Sequence, residues 1–169
     1  MSWKPLLSHP LFTVETRLHE GRAGPFPVAR LRTADWVNVV PVTPDGDVVL
    51  VRQLRFGIEA ETLEIPGGIV EEGEDPMVAA ARELREETGF SGGRWTALGS
   101  VRPNPAIQSN RTWLFLAEGV ERADDQALDP TEDITVELHP FTTLRELLES
   151  GRIDHALAVV SLQRVLLRP

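Results

Sequence analysis

The apolar residues of this chain follow two periods. Runs rich in Val, Ile, Leu and Thr, bounded by turn residues, predict strands at residues 13–18, 28–31, 36–42, 47–55, 62–65, 95–101, 112–118 and 134–138. Thr43-Pro44-Asp45-Gly46 is a hairpin signal, whereas the breaker-rich residues 20–27 read as a connection. Elsewhere a helical spacing takes over. Asp75-Pro76 opens a helix, with Asp75 able to cap free amides and Pro76 suited to the first helical position. Met77, Ala80, Ala81 and Leu84 are expected on its buried face, and Gly89 closes it. Two further helices are expected at residues 144–150 and 153–167, the second turning Leu157, Val160, Leu162, Val165 and Leu166 toward the sheet. Strands, a helix, strands and two helices predict an α/β fold in which helices cover a mixed sheet.

Composition narrows the class. With 169 residues, 41% hydrophobic and 25% charged, the chain fits one globular domain without repeats or a dividing linker. Its apolar runs are too short to span a bilayer, and the N-terminus lacks the apolar core of a secretory signal. Cysteine is absent, which excludes disulfides, thiolate zinc sites, iron–sulfur clusters and thiol nucleophiles. The expected compartment is the cytoplasm. His9, His19, His139 and His155 show no ligand spacing and read as surface or packing residues.

Charge changes the picture more. The net charge is −9, and residues 68–90 alone hold seven acids against Arg82 and Arg85. That balance argues against nucleic acid as a partner, because phosphate neutralisation needs clustered cations. On a helical wheel Glu83 and Glu87 stand one above the other, and Glu86 flanks the same arc. Like charges at this spacing repel by a few tenths of a kcal/mol per pair, about the magnitude known for i,i+4 pairs. Near the end of a helix they also oppose its dipole. A solvated acidic face is the plain reading. Beside the glycine pair Gly67-Gly68, however, a carboxylate cluster also suits Mg²⁺ or Mn²⁺, which take hard oxygen ligands.

Gly68, Glu74, Arg82-Glu83-Leu84, Glu86-Glu87 and Gly89-Phe90 stand at nine restricted positions with fixed spacing. In this the chain resembles the Nudix hydrolase superfamily. The resemblance implies the Nudix fold, a mixed β-sheet between helices, and hydrolysis of a nucleoside diphosphate linked to another moiety. It implies Glu83 and Glu87 as main metal ligands, Glu86 as an assistant, and the Gly67 carbonyl as a backbone ligand. Glu74 would reach the metals through water, and Arg82 would pin a loop carboxylate. Outside this motif, residues 49–55, 61–68, 132–136 and 151–162, together with Pro105, resemble the ADP-ribose pyrophosphatase and nucleotide-sugar branch. The chain departs from that branch at Gly67 and Ile69, where alanine and lysine are common, and in an acid-free loop over residues 102–111.

The branch resemblance makes Arg52, Arg55, Glu61, Glu64 and Pro105 candidate substrate contacts and Glu132 the candidate base, with Asp133 its rival. Arg52 and Arg55 stand three positions apart, so alternation along a strand sets them on different faces. Phe56, Trp36 and Phe26 are the residues available to stack on a base. The implied activity is Mg²⁺-dependent cleavage of ADP-ribose or another nucleoside diphosphate sugar. A nucleotide-sugar-binding regulator and an RNA decapping enzyme are the alternatives. Residues 1–35 form an expected N-terminal β extension that pairs a homodimer, followed by a hydrolase domain over residues 36–169; no membrane contact is expected.

Overall fold

The computed structural model describes residues 2–168, so residues 1 and 169 of the two expected segments lie outside the described residues. In chain order the elements are β1 (Lys4–His9), β2 (Phe12–Gly21), β3 (Gly24–Arg32), β4 (Trp36–Val42), β5 (Asp47–Arg55) and β6 (Ala60–Glu64). There follow α1 (Pro76–Thr88), β7 (Phe90–Val101), β8 (Thr112–Arg122), β9 (Ile134–Pro140), α2 (Leu144–Glu149) and α3 (Ala156–Leu166).

The main sheet has the order β6-β5-β4-β8-β7, with β9 paired to β5. β4 and β8 run parallel, and their neighbours are antiparallel. Alternation along the central strands loads two cores. Val40, Leu50 and Leu116 face Leu144, Ala158 and Leu162 of α2 and α3, while Val37, Val39 and Phe115 face Ala79, Ala80 and Leu84 of α1. Each fully buried Val or Leu contributes about 1.5–3 kcal/mol.

One departure from regular pairing positions the site. After β6 the chain leaves β5 and follows β4 instead. Val39 N–H donates to Pro66 O (3.0 Å) and Val37 N–H to Gly68 O (2.9 Å), while Gly68 N–H returns to Val37 O (3.1 Å). Gly67-Gly68 is thereby fixed on the sheet and against α1.

The first three strands form a separate sheet, β1-β2-β3. Two expectations are corrected here. β1 was not visible as a strand, because all six of its residues are exposed and show no alternation. Residues 20–27 are not a connection, since β2 and β3 stay paired up to Gly21↔Gly24. Pro25 and Pro27 are tolerated because β3 is an edge strand of its sheet. Leu31 ties this sheet to the loop after β7, donating to Ile107 O (2.7 Å) and accepting from Ser109 N–H (3.2 Å). Glu15 receives Arg30 Nε and Arg32 Nε, each at 2.8 Å.

The helices needed smaller corrections. Met77 and Ala81 are exposed; the buried face of α1 is Ala79, Ala80, Leu84, Glu87 and Thr88. A pattern that counts only apolar residues misplaces a face that carries a buried glutamate. α3 starts at Ala156, three residues later than expected, and buries Ala158, Ser161, Leu162 and Val165. Among the described residues, no helix is long and apolar enough to cross a membrane.

Candidate active site

Both ends of α1 are stopped by local chemistry. Asp75 Oδ1 accepts the Met77 N–H at 2.8 Å, and Pro76 occupies the first turn. Gly89 takes φ of +75° and donates to Arg85 O at 2.8 Å, a left-handed cap that glycine adopts without strain. Between these caps the helix carries its carboxylates to the sheet.

Glu87 is the most deeply placed of them, 3% exposed, and Oε2 accepts the Gly67 N–H at 3.0 Å. Burial pushes its carboxyl well above the usual range, and the Gly67 bond only partly opposes this. Glu83 is raised too, by burial first, with Arg82 working against the shift. Its carboxylate lies so close to Gly68 that a Cβ there would overlap it. A Cβ at Gly67 would instead strike the Val37 carbonyl. The two glycines are therefore needed for close approach, one to a side chain and one to backbone.

Arg82 is held on all five of its N–H groups. Nε and Nη2 grip Glu74 (3.1 and 3.0 Å), Nη1 reaches Glu83 (2.9 Å) and Glu86 (3.1 Å), and Nη2 also donates to Ile69 O (3.0 Å). The arginine thus fastens the loop before α1 to the carboxylate arc. Glu74 is held below the usual carboxylate range by Arg82, against burial.

Glu132 lies in the loop between β8 and β9. Its carboxylate accepts the Asp129 N–H at 2.9 Å, and its charge reaches Glu83, Glu87 and Arg55. The loop is anchored on the end of α1. Gln126 Nε2 donates to Glu87 O (2.6 Å) and Ile134 O (3.1 Å), and Ala127 N–H to Glu86 O (2.8 Å). The sequence reading missed Gln126; a lone glutamine in a loop carries no spacing signal.

A cavity of about 650 Å³ opens beside Gly67-Gly68, walled by Trp36, Phe56, Ile58, Leu157, Arg55 and His155. At its inner side lies Glu64, fully buried. Burial opposes the charge on Glu64, but Arg55, His155 and Thr62 outweigh it and hold the carboxyl far below the usual range. Arg55 makes a bidentate pair with it, Nε and Nη2 each at 2.7 Å. Glu64 therefore faces the site only through its partners.

The structure brings together Gly67, Glu83, Glu86, Glu87, Arg82, Glu132, Arg55 and Glu64. It sets three other candidates apart. Arg52 Nε pairs with Glu137 on β9 at 2.6 Å, Glu61 is exposed on β6, and Pro105 is exposed in the loop after β7. Of the stacking residues, Trp36 and Phe56 line the cavity, whereas Phe26 lies on β3 against His19.

The donor set fits hard divalent cations. Glu83, Glu86 and Glu87 offer oxygen, and the carbonyls on either side of Gly67 are already taken by Val39 and Val37. The buried Glu87 is ionised at low cost only beside a positive charge. Among the described residues no three His, Asp or Glu side chains are gathered as a finished cage, and Arg82 engages both Glu83 and Glu86.

Comparison with known proteins agrees with this geometry. The family model described as NUDIX domain matches residues 33–159. An ADP-ribose pyrophosphatase of Bacillus subtilis (strain 168) is 29% identical over 94% of this chain and 85% of its own length. The methanol dehydrogenase activator of Bacillus methanolicus is 35% identical over 75% of this chain and 69% of its own. The crystal structure of an ADP compounds hydrolase, 27% identical, superposes with a TM-score of 0.86 over 98% of this chain and 90% of that one.

Proposed function

Because this chain belongs to the NUDIX domain family, we propose that it is a pyrophosphohydrolase that cleaves ADP-ribose or another nucleoside diphosphate sugar. The products are a nucleoside monophosphate and a sugar phosphate. The observation that carries this reading is the meeting of Glu83 and Glu87 with Gly67-Gly68 at the edge of a cavity large enough for a nucleoside or sugar. The relatives named as ADP-ribose pyrophosphatase and the structural likeness to an ADP compounds hydrolase support the substrate class.

The family generally needs a divalent metal, and we take it here to be Mg²⁺. Glu83, Glu86, Glu87 and the Gly67 carbonyl would hold such ions, which when bound would neutralise the diphosphate and make bound water more acidic. The chain supplies the rest. Arg82 keeps Glu74, Glu83 and Glu86 in register. Arg55 is fixed at the cavity wall by Glu64, a pair that does not use Nη1. Glu132 takes a proton from the attacking water as the phosphorus–oxygen bond of the anhydride breaks. The departing phosphate leaves as an anion and needs no proton.

We assign residues 1–35 to an N-terminal β extension and 36–169 to the hydrolase domain, and propose that the extension joins two chains in a homodimer. Leu6, Leu7, Leu11, Phe12, Leu18 and Phe26 are exposed on the small sheet, which supports an apolar partner surface.

A second reading has one observation in its favour, the relative named as an activator of methanol dehydrogenase. The complete carboxylate set favours hydrolysis. The test is a panel with Mg²⁺ comprising ADP-ribose, GDP-mannose, UDP-glucose, dinucleoside polyphosphates and nucleoside triphosphates. Turnover confined to nucleotide sugars is expected; none on any of them would leave the regulatory reading.

A further inference from the structure

The hydrolytic reading leaves one edge of the cavity without a role. Glu64 gathers Arg55, Thr62 Oγ1 (2.6 Å) and, from the residue before α3, His155 Nδ1 (2.9 Å). That Nδ1 is buried, is misaligned for a formed hydrogen bond, and has no other partner among the described residues. Two lone pairs would repel at 2.9 Å, so Nδ1 carries the ring proton against the ionised Glu64. The His155 side chain is still 32% exposed, and with Nδ1 inside, the open part is the opposite edge, which bears Nε2. In the neutral ring Nε2 is an acceptor.

Its neighbours on the cavity wall complete a pattern. Asp154 adds a second acceptor, and Arg55 Nη1 is a donor that Glu64 does not use. Two acceptors beside a donor match the hydroxyls of a vicinal diol, which both give and take hydrogen bonds. A phosphate only accepts, and it would be repelled by Asp154 and by the Nε2 lone pair.

We propose that His155, oriented by Glu64, is a specificity-determining residue that reads the diol of a sugar bonded to the diphosphate. This rests on the nucleotide-sugar reading of the site. Both flanking rings, the nucleoside ribose and the distal sugar, offer such a diol, and the experiment separates them.

Steady-state kinetics with Mg²⁺ would compare wild type, H155A, H155N and H155Q on three substrates. These are ADP-ribose, its dideoxy analogue lacking the nucleoside diol, and the methyl ester of ADP, which lacks the distal sugar. Asparagine places its polar end near Nδ1, and glutamine places its own near Nε2. On ADP-ribose, H155A and H155N are expected to lose about tenfold in kcat/KM, mostly through KM, and H155Q about threefold or less. The loss should vanish on whichever analogue lacks the diol that is read, and that arm identifies the ring. An equal loss on all three substrates overturns the proposal, as does an H155N enzyme that is spared while H155Q is impaired; either would mean the ring serves only to hold Glu64. Wild-type activity on ADP-ribose with unchanged H155A kinetics overturns this inference alone. A wild-type enzyme inactive on every nucleotide sugar overturns the functional reading and this inference with it.

Discussion

On the buried face of α1 the Glu87 carboxylate is favoured only when positive charge stands beside it, and the whole site is arranged around that conflict. Gly67 and Gly68 allow the approach, each in a different way. Gly68→Ala should displace the Glu83 carboxylate, lowering turnover at least about tenfold with a stability change under about 1 kcal/mol, since a flexible side-chain end can give way. Gly67→Ala meets the Val37 backbone, which cannot give way, and should cost about 1–3 kcal/mol. Melting temperatures and kcat for the pair check this; equal effects from both would mean that Gly68 does not position Glu83.

Glu64 is a different kind of buried acid, because its partners keep it ionised. Its folded pKa lies below the unfolded value of about 4.3, so its contribution to stability is present above that pH and is lost as pH falls below it. Glu64→Gln should therefore cost about 1–3 kcal/mol near neutrality. The gap to wild type should narrow below about pH 4, where the unfolded wild-type carboxyl becomes protonated. Melting curves of both proteins at neutral and acid pH decide it, and a constant gap would contradict the assignment.

Among the elements, some were legible in the sequence and others were hidden for physical reasons. β4 and β5 begin and end where the hairpin and β-branched pattern placed them, because both load the core by alternation. β1 carries no such signal, since an exposed strand in a small separate sheet has no buried face to pattern. The arc of Glu83, Glu86 and Glu87 was visible from spacing alone, but its depth was not. His155, read as a surface or packing residue, owes its place to Glu64, some ninety positions earlier, and no local pattern records that pairing. The loop before β9 shows how an irregular element acquires a fixed position. Gln126 and Ala127 tie it to the end of α1, so Glu132 is presented to the site by hydrogen bonds rather than by a strand. Glu132→Gln should lower kcat at least about a hundredfold while Mg²⁺ affinity stays unchanged, as for a base and not a ligand. Titration of Mg²⁺ into the variant checks the second half, and a matching loss of affinity would make Glu132 a ligand.

For the molecule as a whole, the exposed Leu6, Leu7, Phe12, Leu18 and Phe26 of the small N-terminal sheet give the proposed homodimer an apolar surface to bury. Light scattering at micromolar concentration should give twice the chain mass of 18.7 kDa. Removal of the first 33 residues should then break the dimer and raise KM for a nucleotide sugar. A wild-type mass near 18.7 kDa would remove the proposed dimer, and a truncated monomer with unchanged kinetics would assign the pocket to one chain.

Cleavage of ADP-ribose, followed by separation of the products, tests the carboxylate site most directly. With Mg²⁺ the wild-type enzyme should yield AMP and ribose phosphate, and a chelator should abolish the reaction. Glu83→Gln and Glu87→Gln should each lower turnover at least about a hundredfold while the protein stays folded, because each removes an oxygen ligand from the arc. Either variant retaining near-normal turnover at saturating Mg²⁺ would contradict the assignment of these glutamates as metal ligands.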